Sequence, residues 1–173
     1  MSDGPVRAPP DLDALARGLE STFERIRAER MHDVPILNAA LRVEAVGLRQ
    51  WNGVVLGALV TPWFINLVIL PGDGQWRSAR QTESVWYGFP SGRFQFIAGS
   101  EPGLGEFHAC SLLSPVLEFA DHDTARETAR VAVESLFDPS LLGEEPPRPE
   151  GEKAAISRRD FLRGASAGGP PRT

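Results

Sequence analysis

A single cysteine, Cys110, stands in a chain of 173 residues. It excludes an intrachain disulfide and a zinc site built from several thiolates, and it points to a reducing compartment. Long apolar runs are missing too. No stretch approaches the roughly twenty residues of a membrane helix, and the opening Met1-Ser2-Asp3-Gly4-Pro5-Val6-Arg7 has no apolar core behind its charge. The chain therefore reads as cytoplasmic, without membrane insertion. Basic charge is in deficit: a net charge of −5 provides no phosphate-neutralising surface for nucleic acid and leaves room for a basic partner. Catalytic motifs are equally scarce. Ser111 and Ser114 lack the G-x-S-x-G setting of an exposed nucleophile, and the glycines of Pro71-Gly72-Asp73-Gly74 precede no clear helix and follow no phosphate-loop spacing.

What is present is a core. From Trp63 to Leu70 only Asn66 interrupts the apolar run, with Pro62 and Pro71-Gly72 as bounds, so this reads as a strand covered on both faces. Asn66 then needs hydrogen-bond partners within the sheet. Ahead of it, Leu12, Leu15, Leu19, Phe23 and Ile26 fall at three- and four-residue steps behind a capping Asp11, which predicts a helix from Asp11 to Arg30. Leu41, Val43 and Ala45 alternate with Arg42 and Glu44, and the apolar phase shifts at Val46 and Leu48, so a bulge is expected near Ala45 or Gly47. Asn52-Gly53 predicts a hairpin turn into Val54–Val60.

The polar stretch Gln75 to Ser84 has room for one short helix. Strands are expected around Phe94, Phe96 and Ala98 and over Glu106 to Leu113. A second helix carries Ala125, Ala129, Val133, Leu136 and Phe137, with Thr124 and Glu127 at capping-box spacing. The fold class is thus α+β: one domain with a largely antiparallel sheet of five or six strands, packed by an N-terminal and a C-terminal helix. Residues 1–10 read as a disordered lead, 11–140 as the domain, and 141–173, rich in proline and glycine, as a flexible tail.

His108 and Cys110, two apart on a strand, share a face. A metal site there needs a further strong ligand, and only His32 and His122 remain as imidazoles, both distant in sequence, so a packed thiol beside a half-buried histidine is the default. A thiolate activated by His108 meets the same difficulty, because such side chains lie some 6–7 Å apart. No metal, cofactor or catalytic residue is therefore expected. In the tail, Ser157-Arg158-Arg159-Asp160-Phe161-Leu162-Arg163 resembles the twin-arginine export consensus Ser-Arg-Arg-x-Phe-Leu-Lys, with Arg in the last place. Gly164-Ala165-Ser166-Ala167-Gly168-Gly169-Pro170 follows where a working signal needs an apolar segment. The motif reads as an imitation of a signal.

Several segments in order resemble the HybE/HupJ family of nickel–iron hydrogenase assembly chaperones: Asn38 to Gly47, Leu59-Val60-Thr61-Pro62-Trp63-Phe64, Leu70-Pro71-Gly72 with Trp76 after it, Phe89-Pro90-Ser91-Gly92-Arg93-Phe94-Gln95-Phe96, and Phe107-His108-Ala109-Cys110-Ser111-Leu112-Leu113-Ser114-Pro115. The likeness spans about residues 31 to 137. It implies a non-enzymatic chaperone that binds the precursor of the hydrogenase small subunit at or near its twin-arginine signal peptide and delays export until cofactors and partner subunit are in place, with other hydrogenase assembly proteins as further partners. Some members add a rubredoxin domain with paired cysteines; this sequence has no such cysteines, so iron binding does not carry over.

A receptor for such a signal needs apolar surface with carboxylates at one end. Trp63, Trp76, Trp86 and Phe89 are the aromatic candidates, and Glu83, Glu101, Glu106, Glu118 and Asp121 the acidic ones. The tail, through Arg158, Arg159, Phe161, Leu162 and Arg163, is then placed to occupy that site itself or to bind another assembly factor in trans. The alternative class is a small metal- or thiol-dependent accessory enzyme using His108 and Cys110.

Overall fold

The computed structural model describes residues 8–142. Most of the expected lead, nearly all of the expected tail and the whole Ser157–Arg163 motif lie outside the described residues.

Helix α1 covers Leu12–Arg30, with Asp11 accepting from the Ala14 N–H at 3.1 Å, and its buried stripe is Leu19, Phe23 and Ile26. Six strands follow: β1 Glu44–Trp51, β2 Val54–Val60, β3 Ile65–Pro71, β4 Ser84–Phe89, β5 Gly92–Glu101 and β6 Gly105–Leu113. Helix α2, His122–Ser135, closes the domain ahead of a 3-10 turn at Pro139–Leu141. The strands form one antiparallel sheet in the order β1-β2-β3-β6-β5-β4. It consists of two three-stranded meanders zipped together along β3 and β6.

Alternation along the strands divides the core into two layers. On one face Val55, Leu59, Val68, Leu70 and Phe107 pack with Leu19, Phe23 and Ile26 of α1. On the other, Leu56, Leu67, Phe96, Cys110 and Leu112 pack with Ala125, Ala129, Ala132 and Val133 of α2. All seven residues of β2 are buried, as is most of β3, because both strands lie between the helices. The alanine stripe of α2 lets that helix sit close to the sheet. Its first turn is bolted to β1 through Glu44, which accepts from His122 Nε2 at 2.6 Å and Arg126 Nε at 2.9 Å.

The expected bulge is present: register shifts between Val46 and Arg49, and Gly47 takes φ 65°. The β1–β2 turn uses Asn52 at φ 46° and Gly53 at φ 78°, the left-handed pair of a type I′ turn. Gly53 meets the Pro71-Gly72-Asp73-Gly74 segment backbone to backbone, with the Gly74 N–H donating to Gly53 C=O at 2.9 Å. A Cβ on Gly72 would lie 2.6 Å from the Gly53 oxygen, so these glycines serve a chain crossing.

Four details differ from expectation. Residues 75–83 form no helix; Thr82, at φ 73°, breaks helical geometry within that stretch, and strand β4 begins at Ser84. The cap of α2 is Asp121, which accepts from the Thr124 N–H at 2.7 Å, in place of Thr124. β3 starts at Ile65, not Trp63, because the Thr61 hydroxyl accepts from the N–H groups of Trp63 and Phe64 and holds them in a turn. Asn66 Oδ1, on the α1 side of the sheet, has no hydrogen-bond partner among the described residues.

Candidate functional site

Two places combine chemistry with shape. The first is a belt across the α2 side of the sheet, formed by the connection between β3 and β4. Trp76 in that connection stacks on His108 of β6, with ring centroids 4.3 Å apart, and its indole N–H donates to Glu106 at 3.2 Å. Ser78 donates to the same carboxylate at 2.8 Å. These hydrogen bonds, Ser78 first, hold Glu106 below the usual carboxylate range against the opposing effect of burial. Beneath the indole, His108 Nδ1 lies 2.7 Å from the Tyr87 hydroxyl, while Nε2 is buried without a partner among the described residues. Burial lowers the His108 pKa, outweighing the attraction of Glu106, and burial likewise raises Tyr87. A cavity of about 240 Å³ opens beside the belt between Trp51, Asn52, Gln75, Arg77 and Tyr87.

The second place is the end of the sheet where β2 passes to β3 and β6 passes to α2. Asn38 ties three loops together there. Its backbone N–H donates to Pro62 C=O at 2.8 Å, and its side-chain amide donates to the carbonyls of Val116 and Phe119 at 2.9 and 2.8 Å. Its Oδ1 accepts from the Ala40 N–H at 2.9 Å. With the loops so fixed, Leu37 and Val116 turn inward, whereas Ile36 (37% exposed) and Leu117 (54%) are left in solvent. The loop segments 31–42 and 114–121 carry three carboxylates, Asp33, Glu118 and Asp121, against one arginine, Arg42. Glu118 is exposed and has no ion-pair or hydrogen-bond partner among the described residues. Asp121 is held below the usual carboxylate range by hydrogen bonds from Thr124, the backbone N–H first. The loops tied by Asn38 thus carry both exposed apolar residues, Ile36 and Leu117, and the carboxylates Glu118 and Asp121.

The structure separates the predicted site residues. Trp63 (8% exposed), Glu118 and Asp121 belong to the loop end, with Trp63 packed under it against Phe64. Trp76 and Glu106 belong to the belt. Trp86 is half-buried on the opposite, α1-side surface of β4, under the guanidinium of Arg93 at 5.4 Å. Phe89 is core, stacked on Trp51 at 4.4 Å. Glu83 accepts from the Arg80 N–H at 2.8 Å, and Glu101 holds Arg30 in a fork of two 2.9 Å bonds.

His108 and Cys110 share a face as expected, and both are sealed in the core at 1% and 3% exposure. Among the described residues no three His, Cys, Asp or Glu side chains gather as a metal site would require. Sequence reasoning missed Ile36, Asn38 and Leu117. The available signal was Val116-Leu117 followed by Phe119, one apolar residue too many for a single inward face.

Residues 14–164 match the family model described as NiFe-hydrogenase assembly, chaperone, HybE. Among curated proteins, the hydrogenase expression/formation protein HupJ of Bradyrhizobium diazoefficiens is 41% identical over 157 residues, 90% of this chain and 92% of its own length. The probable rubredoxin HupJ of Rhodobacter capsulatus is 38% identical over 73% of this chain, a match that spans 46% of that protein. The solution structure of HybE from Escherichia coli superposes with a TM-score of 0.58 at 24% identity, covering 82% of this chain and 86% of that one. That superposition shows a shared architecture.

Proposed function

The chain belongs to the HybE family of NiFe-hydrogenase assembly chaperones, and on that basis we propose that it holds the precursor of a hydrogenase small subunit by its twin-arginine signal peptide. Holding the signal delays export until the cofactors and the large subunit are in place, so the work is done in the cytoplasm by binding, with no chemical step. The observation that carries this reading is the loop end, where loops tied together by Asn38 carry exposed Ile36 and Leu117 along with Glu118 and Asp121. A twin-arginine signal is two guanidinium forks followed by an apolar stretch. Carboxylates beside an apolar patch complement both parts. Sealing His108 and Cys110 in the core favours this binding role over the thiol or metal alternative, since a reactive thiolate needs access to its substrate.

The test is calorimetric titration with the signal peptide of the small subunit from the same organism, beside a version with both arginines changed to lysine. Micromolar or tighter binding is expected, weakened about tenfold by the lysine pair, which lacks the bidentate fork. Leu117→Asp and Glu118→Arg should each weaken it at unchanged thermal stability, because neither side chain is buried. Absence of binding to both peptides would move the contact to the mature part of the subunit and remove the loop end from the mechanism.

A further inference from the structure

We infer that residues 157–163 of the same chain are an internal ligand of the loop end, docking there until a client signal displaces them. This rests on the loop end being the signal site. The segment Ser157-Arg158-Arg159-Asp160-Phe161-Leu162-Arg163 brings three arginines and two large apolar side chains. Those are the groups that an acid-rimmed apolar patch recognises. They stand out in a chain of net charge −5.

Topology puts the patch within reach. The described chain stops at Leu142, beside Gly92 in the β4–β5 turn, and the Ser91 N–H of that turn donates to Leu136 C=O at 3.0 Å. In an antiparallel sheet of this order, the β4–β5 turn lies at the same end as the β2–β3 connection and the exit of β6. Two or three strand spacings, about 10–15 Å, separate it from the Asn38-tied loops. Fourteen residues, 143–156, connect Leu142 to Ser157. A random coil of that length has a root-mean-square span of about 20 Å and an extended one reaches about 50 Å. The span therefore matches the distance, and the effective concentration is of millimolar order. A self-ligand with an intrinsic Kd of about 100 μM would be bound about nine-tenths of the time and would weaken a competing client about tenfold. The tail lacks the apolar stretch of a true signal, so a client can still displace it.

The experiment compares the full-length protein with its full-length Arg158→Ala/Arg159→Ala variant. Two measurements are made: calorimetry with the client signal peptide, and NMR of the Ile36 and Leu117 methyl groups without any peptide. The expected results are about tenfold tighter client binding by the variant and displaced Ile36 and Leu117 methyl signals between the two proteins. Equal client affinity with identical methyl spectra overturns self-docking and assigns the tail to a partner in trans. If neither protein binds the client, the signal-receptor reading fails on the calorimetry. Self-docking is then judged on the methyl signals alone, and identical spectra reject it.

Discussion

Glu44 is the residue on which the α2 side of the molecule turns. Its carboxylate takes hydrogen bonds from His122 and Arg126, while the Arg42 N–H donates to His122 Nδ1 at 3.2 Å and so leaves the ring's proton on Nε2, facing Glu44. Burial works against the charge of Glu44, and the hydrogen bonds of His122 and Arg126 outweigh it, so its pKa is lowered. Replacing it by Gln should cost about 2 kcal/mol in urea unfolding, the usual loss for hydrogen bonds to a charged group. The pH dependence follows from linkage. Glu44 contributes stability above its unfolded value of about 4.3, and this is lost as pH falls through its lower native value. His108 acts in a higher window. Burial depresses its native pKa, so below about pH 6.5 the unfolded chain binds a proton that the native chain refuses, and stability falls with falling pH by up to about 1.4 kcal/mol per unit. Unfolding free energies measured from pH 8 to 3 should therefore decline in two stages. His108→Gln should flatten the upper stage and Glu44→Gln the lower, and a wild-type profile flat between pH 7 and 5 would contradict the burial argument for His108.

At the scale of elements, Asn38 does for the loops what Glu44 does for α2. Changing it to Ala removes three side-chain hydrogen bonds, leaving the Val116 carbonyl with only the long bond from the Phe119 N–H and the Phe119 carbonyl short of a donor, so about 2–3 kcal/mol should be lost. Hydrogen exchange should quicken first in residues 114–121 and 61–64; uniform acceleration across the sheet would mean that the loops were not tied through this side chain. Asn38 also marks the boundary of what the sequence made legible. Helix α1, the bulge near Gly47 and the Asn52-Gly53 hairpin rest on neighbours a few residues apart, and their periodicity or turn chemistry was readable. β4 was missed although Val85, Tyr87 and Phe89 face the core in alternation with Ser84, Trp86 and Gly88, because a polar run precedes this short strand and only β5 pairs with it. Asn38's partners lie 78 and 81 residues away, and no local pattern announces them. The same reason explains the site. Single candidates such as Glu118 and Asp121 are nameable from the sequence, but that Asn38 ties the loop of Ile36 to theirs, and that Trp86 faces away from the core on edge strand β4, follows from long-range pairing.

For the whole molecule, shape and charge have separate parts in recognition on the proposed reading. The two helices bury β2 and β3 between them, so the loop end is carried by the centre of the sheet, and on the proposed reading apolar contacts at Ile36 and Leu117 set how long the signal peptide stays. On the same reading the net charge of −5, reinforced by three carboxylates against one arginine in the two loop segments, sets how fast the arginine-bearing peptide arrives. These contributions separate by ionic strength, because the screening length shrinks from about 10 Å at 0.1 M salt to about 3 Å at 1 M. Stopped-flow association with the twin-arginine signal peptide should slow about tenfold between 0.05 and 0.5 M salt, with dissociation much less affected. Glu118→Arg should lower the association rate and its salt slope, whereas Leu117→Asp should act chiefly on dissociation. An association rate indifferent to salt would mean that the arginines are not what the molecule reads, and would leave the apolar half of the signal as its only recognised feature.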